Sequence, residues 1–304
     1  MTAQAEICEV AIVGGGPAGL SAALVLGRCR RRVVLFDSGE YRNAAAQMMH
    51  GFLSRDGFPP GELRRIAHEE LRRYETVEVR SAVVEEVARK DGGFELAIAG
   101  GGALRCRKLL LATGLADELP QVPGTEDLYG RSIHHCPYCE GWEVRDQPLV
   151  AYGCGDECGG GLALELLLWS RDIVLCTNGP CRLTDEYRAK LDRFGIALRE
   201  DRVVRFEGDE SRIRVVFENG DALERRALFF NTSSRQRSDL ARRLGCELDE
   251  RGGVLCEKFQ STGVRGLYVA GDASREVLQV IVAAGEGSEA AVGINKALLE
   301  EDLL

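Results

Sequence analysis

The sequence predicts an α/β fold of two Rossmann-like, three-layer ββα units, the first split by insertion of the second. Three observations carry this. A strand, a glycine-rich turn, a helix and a second strand open the chain. A run of similar layout begins at Leu149. Near Cys246 the chain returns to its first unit, and a late strand leads to Gly271-Asp272 and a long helix. The expected division is residues 1–117 and 246–304 for the first unit, and 118–245 for the inserted one.

Taken in order, Val10–Val13 reads as a buried strand, Gly14 to Gly19 as the turn, Leu20–Leu26 as a helix and Arg32–Phe36 as the next strand, a βαβ opening. Pro60–Tyr74 predicts an amphipathic helix, because Leu63, Ile66, Ala67 and Leu71 share one face. Short strands punctuated by Asp91-Gly92-Gly93 and Gly100-Gly101-Gly102 predict a small β-meander, and a strand at Leu109–Leu111 ends at Ala112-Thr113-Gly114. Pro120 and Pro123 mark a linker. In the inserted unit, strands are expected at Leu149–Tyr152 and Ile173–Cys176, with a turn at Gly153-Cys154-Gly155 and a helix near Leu162–Trp169 between them. Thr184 can cap a helix running to Phe194, with Gly195 as its stop. Asn219-Gly220 predicts a hairpin joining Arg214–Phe217 to Ala227–Phe230. Leu267–Ala270 reads as a strand, and Gln279–Leu299 as largely helical.

The 304 residues suffice for two cores, and an apolar content of 45% with 29% charged residues is that of ordinary globular chains. A net charge of −9 argues against a nucleic-acid or anionic-membrane surface. No apolar run reaches bilayer-spanning length. Glu6 and Glu9 interrupt the N-terminus before the glycine turn, so no signal peptide is expected. Eleven scattered cysteines, an odd number, fit a reducing cytoplasm in which Cys8, Cys29, Cys106, Cys176, Cys246 and Cys256 serve as small buried apolar groups.

The first turn meets the full context of a dinucleotide fingerprint: strand before, helix after, and an acid, Asp37, at the end of the next strand. Gly14 permits the tight turn, Gly16 lets a pyrophosphate approach the backbone, and Gly19 allows close helix–strand packing. Asp37 can bond a ribose hydroxyl. The second chemical signal is His134-His135-Cys136-Pro137-Tyr138-Cys139-Glu140-Gly141. A CxxC pair can close and reopen a small disulfide, and a thiolate at a helix start is favoured by the helix dipole, which suits dithiol–disulfide exchange. The alternative is half a zinc site with His134 or His135, for which Cys154 and Cys158 are the nearby candidates to complete four ligands. The dinucleotide turn supplies an electron source and favours the redox reading, with no metal ligands assigned.

On these motifs, and on Asp37-Ser38-Gly39-Glu40-Tyr41-Arg42-Asn43, Ala112-Thr113-Gly114, Gly271-Asp272 and Gln279-Val280, the chain resembles the low-molecular-weight thioredoxin reductases and their FAD-dependent relatives over nearly its whole length. The resemblance implies FAD held by Gly14, Gly16, Pro17, Ala18, Gly19, Asp37, Ser38, Arg42, Asn43, Thr113, Gly114 and Gly271. It places Asp272 on the ribityl hydroxyls and Gln279 and Val280 near the isoalloxazine. It implies Cys139 as the flavin-proximal sulfur and Cys136 as the interchange sulfur. Glu140 stands where the family usually has an aspartate as proton donor; a solvated acid is the other reading. His135 departs from the thioredoxin reductases and resembles flavin-dependent dithiol oxidases of the gliotoxin and holomycin type, where it could take a thiol proton; a polar surface histidine is the alternative. His50 faces the cleft or simply packs in its loop. The resemblance further implies a homodimer whose inserted domain rotates about hinges near Pro120–Pro123 and Cys246.

The family's NADPH site has a GxGxxA turn followed by paired arginines for the 2′-phosphate. Here Gly153 and Gly155 remain, Cys158 takes the third small position, and Gly159-Gly160-Gly161 occupy the first helical turn. Each glycine costs a helix roughly 1 kcal/mol relative to alanine, so this start should fray or be reshaped. Thr177 to Arg182 contains no arginine pair, which argues against NADPH, and no acid for a ribose marks the strand end for NADH. The chain resembles diflavin-linked disulfide oxidoreductases and ferredoxin-dependent flavin thioredoxin reductases in this loss. That implies a second flavin or an empty scaffold there, and as partners a thioredoxin-like protein, a small dithiol or disulfide, or ferredoxin.

Overall fold

The computed structural model describes residues 6–274 and 277–304. In chain order the elements are β1 (Glu6–Val13), α1 (Pro17–Arg28), β2 (Val33–Phe36), α2 (Pro60–Leu71), β3 (Val77–Arg80), β4 (Val84–Lys90), β5 (Gly93–Ile98), β6 (Ala103–Leu111) and β7 (Leu115–Asp117). There follow α3 (Thr125–Leu128), β8 (Ile133–His134), α4 (Pro137–Glu140), β9 (Leu149–Tyr152), α5 (Leu162–Glu165), β10 (Ile173–Cys176), α6 (Asp185–Arg193), β11 (Ala197–Arg199), β12 (Val203–Gly208), β13 (Ile213–Phe217), β14 (Ala222–Arg225) and β15 (Ala227–Phe230). The chain ends with β16 (Ser234–Gln236), α7 (Leu240–Arg243), β17 (Leu267–Val269) and α8 (Val280–Asp302).

The first sheet has the order β3-β2-β1-β6-β5-β4, parallel from β3 to β6 and antiparallel beyond. The expected meander is therefore continuous with the parallel sheet through the long strand β6. One edge of β6 pairs with β5 over Ala103–Cys106 and with β17 over Leu109–Leu111, so the late strand slots in where β5 ends. Alternation along β1 decides the layers. Val10 and Ile12 face α1 and α8, whereas Ala11 and Val13 face the opposite core with Leu109, Leu240 and Cys246. Small residues let α8 lie close on α1: a Cβ on Gly287 would stand 1.9 Å from the Ala18 carbonyl oxygen.

The second sheet, β11-β10-β9-β15-β8, is wholly parallel. Its central strands are buried along their length, as expected for strands covered on both faces. Here the hairpin expectation is corrected. The Asn219-Gly220 turn joins β13 to β14, and Ala227–Phe230 runs on into the parallel sheet beside β9. Burial explains the choice. Ala227 to Phe230 is entirely buried and suits an interior strand, whereas Ala222 to Arg225 is mostly exposed and suits the edge of β12-β13-β14. The cysteine expectation also needs correcting at Cys29, which ends α1 exposed, and at Cys256, which is only half-buried. Cys8, Cys106, Cys176 and Cys246 are buried as expected.

The two passages of chain between the sheets, β7 and β16, pair antiparallel with each other. Among the described residues no helix is long and apolar enough to cross a membrane.

Replacing Gly287 by valine is expected to force α8 off α1 and destabilise the fold by roughly 1–3 kcal/mol, the usual range for overpacking. A fall in melting temperature, set beside an unchanged value for exposed Gly263→Ala, checks this.

Candidate active site

The site lies where β1 and β6 end and the inserted unit folds back over them. Gly14 adopts φ +118°, and a Cβ there would meet the Ala112 carbonyl oxygen at 2.1 Å. A Cβ on Gly19 would meet the Gly14 carbonyl oxygen at 1.9 Å, so this glycine sets the approach of helix to strand, as the sequence implied. Gly16 is extended at the start of α1, with no side-chain cap and nothing within 4 Å of its Cβ position. The first N–H groups of α1 therefore face open space fit for an anionic oxygen.

That space is a cavity of about 670 Å³. It is lined by Gly14, Gly16, Pro17 and Ala18 from the turn, Ser38, Arg42 and Asn43 from the loop after β2, and Thr113 and Gly114 after β6. Gly271, Asp272, Gln279 and Val280 close it from the far side, with His135, Cys136, Cys139 and Glu140 from the inserted unit. The start of α8 at Gln279 likewise has no side-chain cap, so a second helix terminus opens on the cavity. Its neighbour Gly271 donates its N–H to the buried Glu286 carboxylate at 2.8 Å. Two expected ligands do not line it. Gly19 lies beneath the turn, and Asp37 is buried, its carboxylate accepting from the Gly39 N–H at 2.9 Å and the Tyr41 hydroxyl at 2.7 Å. A ribose would compete with Tyr41 for Asp37. An uncapped helix start, an open glycine face and an acid at the far end together fit an extended dinucleotide such as FAD.

Cys136 and Cys139 form a disulfide, Cys136 capping the four-residue helix α4. Burial pushes the Glu140 carboxyl up to about 7, with Glu143 adding to the rise and His50 opposing it. His50 Nδ1 lies 3.6 Å from Glu143 and 3.5 Å from Asp56, and it lines the cavity, so the cleft-facing reading of His50 is the one the structure supports. His134 belongs to β8, buried against the Phe229 ring, and its pKa is lowered to about 4 chiefly by burial. It is a core residue.

Arg42 grips Asp117 with Nε and Nη2 at 2.7–3.0 Å and donates from Nη1 to Asp272 at 3.0 Å. Its Nη2 also stands 3.4 Å from His135 Nε2. The other ring nitrogen of His135 is 2.7 Å from the Tyr129 hydroxyl, which reaches Asp117 at 3.3 Å. Sequence reading missed Asp117 and Tyr129; neither carries a motif, and only the tertiary fold brings them to His135.

The second glycine turn differs from the first by one residue. A Cβ on Gly159 would meet the Gly153 carbonyl oxygen at 2.6 Å, so Gly159 does what Gly19 does in the first turn, and Cys158, expected at the third small position, is exposed. The extra residue is absorbed by a π-helical turn at Asp156–Gly161, where the Gly160 N–H reaches the Gly155 carbonyl. This is the reshaping that three glycines predicted. Asp156 and Glu157 open that turn, and Asp156 accepts from the Thr184 N–H at 2.8 Å.

Residues 8–287 match the family described as pyridine nucleotide-disulphide oxidoreductase. Thioredoxin reductase aclD of Aspergillus oryzae is 32% identical, over 95% of this chain and 96% of its own. The crystal structure of HlmI superposes with a TM-score of 0.93 at 37% identity, covering 97% of this chain and 94% of HlmI. A putative thioredoxin reductase TrxB from Bacillus anthracis gives 0.90 at 32%, covering 97% and 99%.

Gly16→Val would fill the open face without touching the protein's own atoms. The expected result is a normally folded chain that emerges colourless, read as the ratio of flavin to protein absorbance beside an unchanged melting curve of the apoprotein.

Proposed function

Because the chain belongs to the pyridine nucleotide-disulphide oxidoreductase family, we propose that this thioredoxin reductase-like flavin disulfide oxidoreductase exchanges electrons between FAD, Cys136–Cys139 and a partner dithiol or disulfide without drawing on NADPH. The observation that carries the second half is the inserted turn. Its one-residue expansion moves the helix start that would meet a pyrophosphate, and Asp156 and Glu157 set two carboxylates there. After β10, Thr177 bonds the Gly179 carbonyl and Asn178 accepts from the Val203 N–H, where an NADPH site needs arginines for the 2′-phosphate. The same charge argues against a second flavin in that turn, so one FAD per chain is expected.

FAD, when bound, stores and returns an electron pair. Gly14 to Ala18 and the start of α1 would hold its pyrophosphate, and Asp272 its ribityl hydroxyls. Cys136 would take the partner's sulfur, and Cys139 is the sulfur that would face the flavin. His135 accepts a thiol proton, and Glu140, near-neutral in pKa, supplies or takes the other. The preferred partner is a small dithiol, with oxygen or a one-electron carrier such as ferredoxin at the other end of the chain. A thioredoxin-like protein is the second reading, favoured by Tyr138 and Trp142, which stand exposed beside the disulfide. The boundary at 117/118 belongs to the same proposal; we put the second between β16 and α7 instead of at 245/246, because Leu240 and Ala241 pack in the first unit's core, and the β7–β16 pair is then the hinge about which a homodimer's inserted units would turn.

Under anaerobic conditions dithiothreitol should bleach the flavin band and NADPH should not; prompt bleaching by NADPH overturns the nucleotide-independent reading. Flavin released by denaturation should count one per chain. Cys136→Ser and Cys139→Ser should each abolish turnover with a dithiol. Glu140 holds its proton below about pH 7 and loses it above, since its pKa is raised. Re-protonation of the pair after exchange should therefore slow above pH 7, and Glu140→Gln should flatten that limb in stopped-flow traces.

A further inference from the structure

The hydrogen-bond chain around His135 has only one consistent direction. A guanidinium can only donate, so Arg42 Nη2 presents a hydrogen toward His135 Nε2. An ionised carboxylate can only accept, so the Tyr129 hydroxyl gives its hydrogen to Asp117 at 3.3 Å. The Tyr129 oxygen then has only lone pairs left for His135, and the 2.7 Å contact must be Nδ1–H donating to Tyr129. His135 is thereby fixed with its proton on Nδ1 and its bare lone pair on Nε2.

We propose that Tyr129 and Asp117 are positioning residues that hold His135 as an Nε2 base for the thiol of an incoming dithiol. The inference rests on the reading of His135 as the thiol base. In the step concerned, the substrate S–H gives its proton to Nε2. The resulting thiolate attacks Cys136, a bond forms between the two sulfurs, and the Cys136–Cys139 bond breaks with its electron pair leaving on Cys139. The second substrate thiol passes its proton to the Cys139 thiolate and displaces Cys136, which leaves as thiolate and takes the proton held on Nε2. The substrate is oxidised to a disulfide and the enzyme's disulfide is reduced to a dithiol, so no other oxidant enters. Arg42 is only a 3.4 Å neighbour of Nε2 and is held by much shorter bonds to Asp117 and Asp272, so this long contact leaves the Nε2 lone pair open to a substrate thiol that gives up its proton there. Once Nε2 is protonated, Tyr129 and Asp117 face the positive ring from the Nδ1 side and offset the Arg42 charge on the other.

The charged and titratable groups facing His135 are Arg42 from the loop after β2, Asp117 from β7 and Tyr129 after α3, with Asp272 acting through Arg42. His134 turns into the core against Phe229. Burial lowers the pKa of His135 from its ordinary value, Asp117 opposing and Arg42 adding, so the ring is neutral at physiological pH and the acid limb lies below the ordinary histidine range.

The test uses the flavin-loaded protein and Tyr129→Phe, which keeps the ring against Phe230. Two readouts are taken: the pH dependence of the rate at which dithiothreitol reduces Cys136–Cys139, and the ¹⁵N shifts of labelled histidine. Wild type should show a single Nδ1–H tautomer and an acid limb. In Tyr129→Phe the tautomers should mix, the limb should shift, and the rate should fall about tenfold, part of the 10²–10⁴ that a general base contributes. His135→Gln should be slower still, and adding Tyr129→Phe to it should change nothing further. If His135→Gln reacts at the wild-type rate, the base reading itself fails. If His135→Gln is slow while Tyr129→Phe keeps the wild-type tautomer and pH profile, only the present inference is overturned.

Discussion

One guanidinium holds the site together. Arg42 is buried between Asp117 and Asp272, and burial of charge without partners costs several kcal/mol per ion. Burial works against the Arg42 charge, and the two carboxylates more than offset it, so its pKa is raised rather than lowered. Asp272 shows the other side of the balance: burial raises its pKa and Arg42 pulls it back. The three groups come from the loop after β2, from the passage strand β7 and from the turn after β17. Removing Arg42 would leave both carboxylates without a counter-charge, and removing Asp117 would strip the guanidinium of its fork, so three distant segments are locked to a common point. The bidentate fork on Asp117 also fixes the guanidinium plane, and with it the direction from which His135 is approached.

The two glycine turns are one strand–helix joint built in two lengths. In the first, a carbonyl meets a glycine five positions on, and α1 starts with its amides free. In the second, the matching contact falls on Gly159, one position later, and the helix starts as a π turn. A single added residue is enough because packing of helix on strand is set by the glycine that lacks a Cβ, and the backbone between must take up the slack. The sheet beneath is undisturbed: β9 and β10 pair in register and bury every residue but Tyr152. The fold thus keeps its second nucleotide-binding frame while its anion-facing end changes.

Much of this was legible in the sequence, because it is local. β1, β9, β10 and α6 carry their own period, turn and cap signals, and the Thr184 cap accepts from the Tyr187 N–H as the sequence foretold. The CxxC spacing is itself a disulfide geometry. What could not be read is tertiary. Ala227–Phe230 and Ala222–Arg225 are both strand-like, and only competition for the interior of the second sheet decides which one pairs across Asn219-Gly220. Asp37 keeps its place at the strand end, yet Tyr41, four residues on, takes its carboxylate. Asp117 lies far along the chain from Arg42 and carries no motif, so its part in the site is a product of the fold alone.

The cavity also shifts two titrating groups in opposite directions. Burial raises an acid and lowers a base, since both prefer their neutral forms in a poor solvent for charge. Glu140 is carried up to about 7, and His135 is carried down from its ordinary value. Near pH 7 Glu140 is therefore shared between its acid and its anion, while the His135 ring is neutral and able to take a proton. Moving an electron pair from a dithiol into a disulfide moves two protons as well, and an acid raised toward neutrality beside a base kept neutral can give and take them. That pairing suits an enzyme whose sulfur pair must be opened and closed in every cycle, and it follows from the burial of the two groups beside the half-buried Cys136–Cys139 bond.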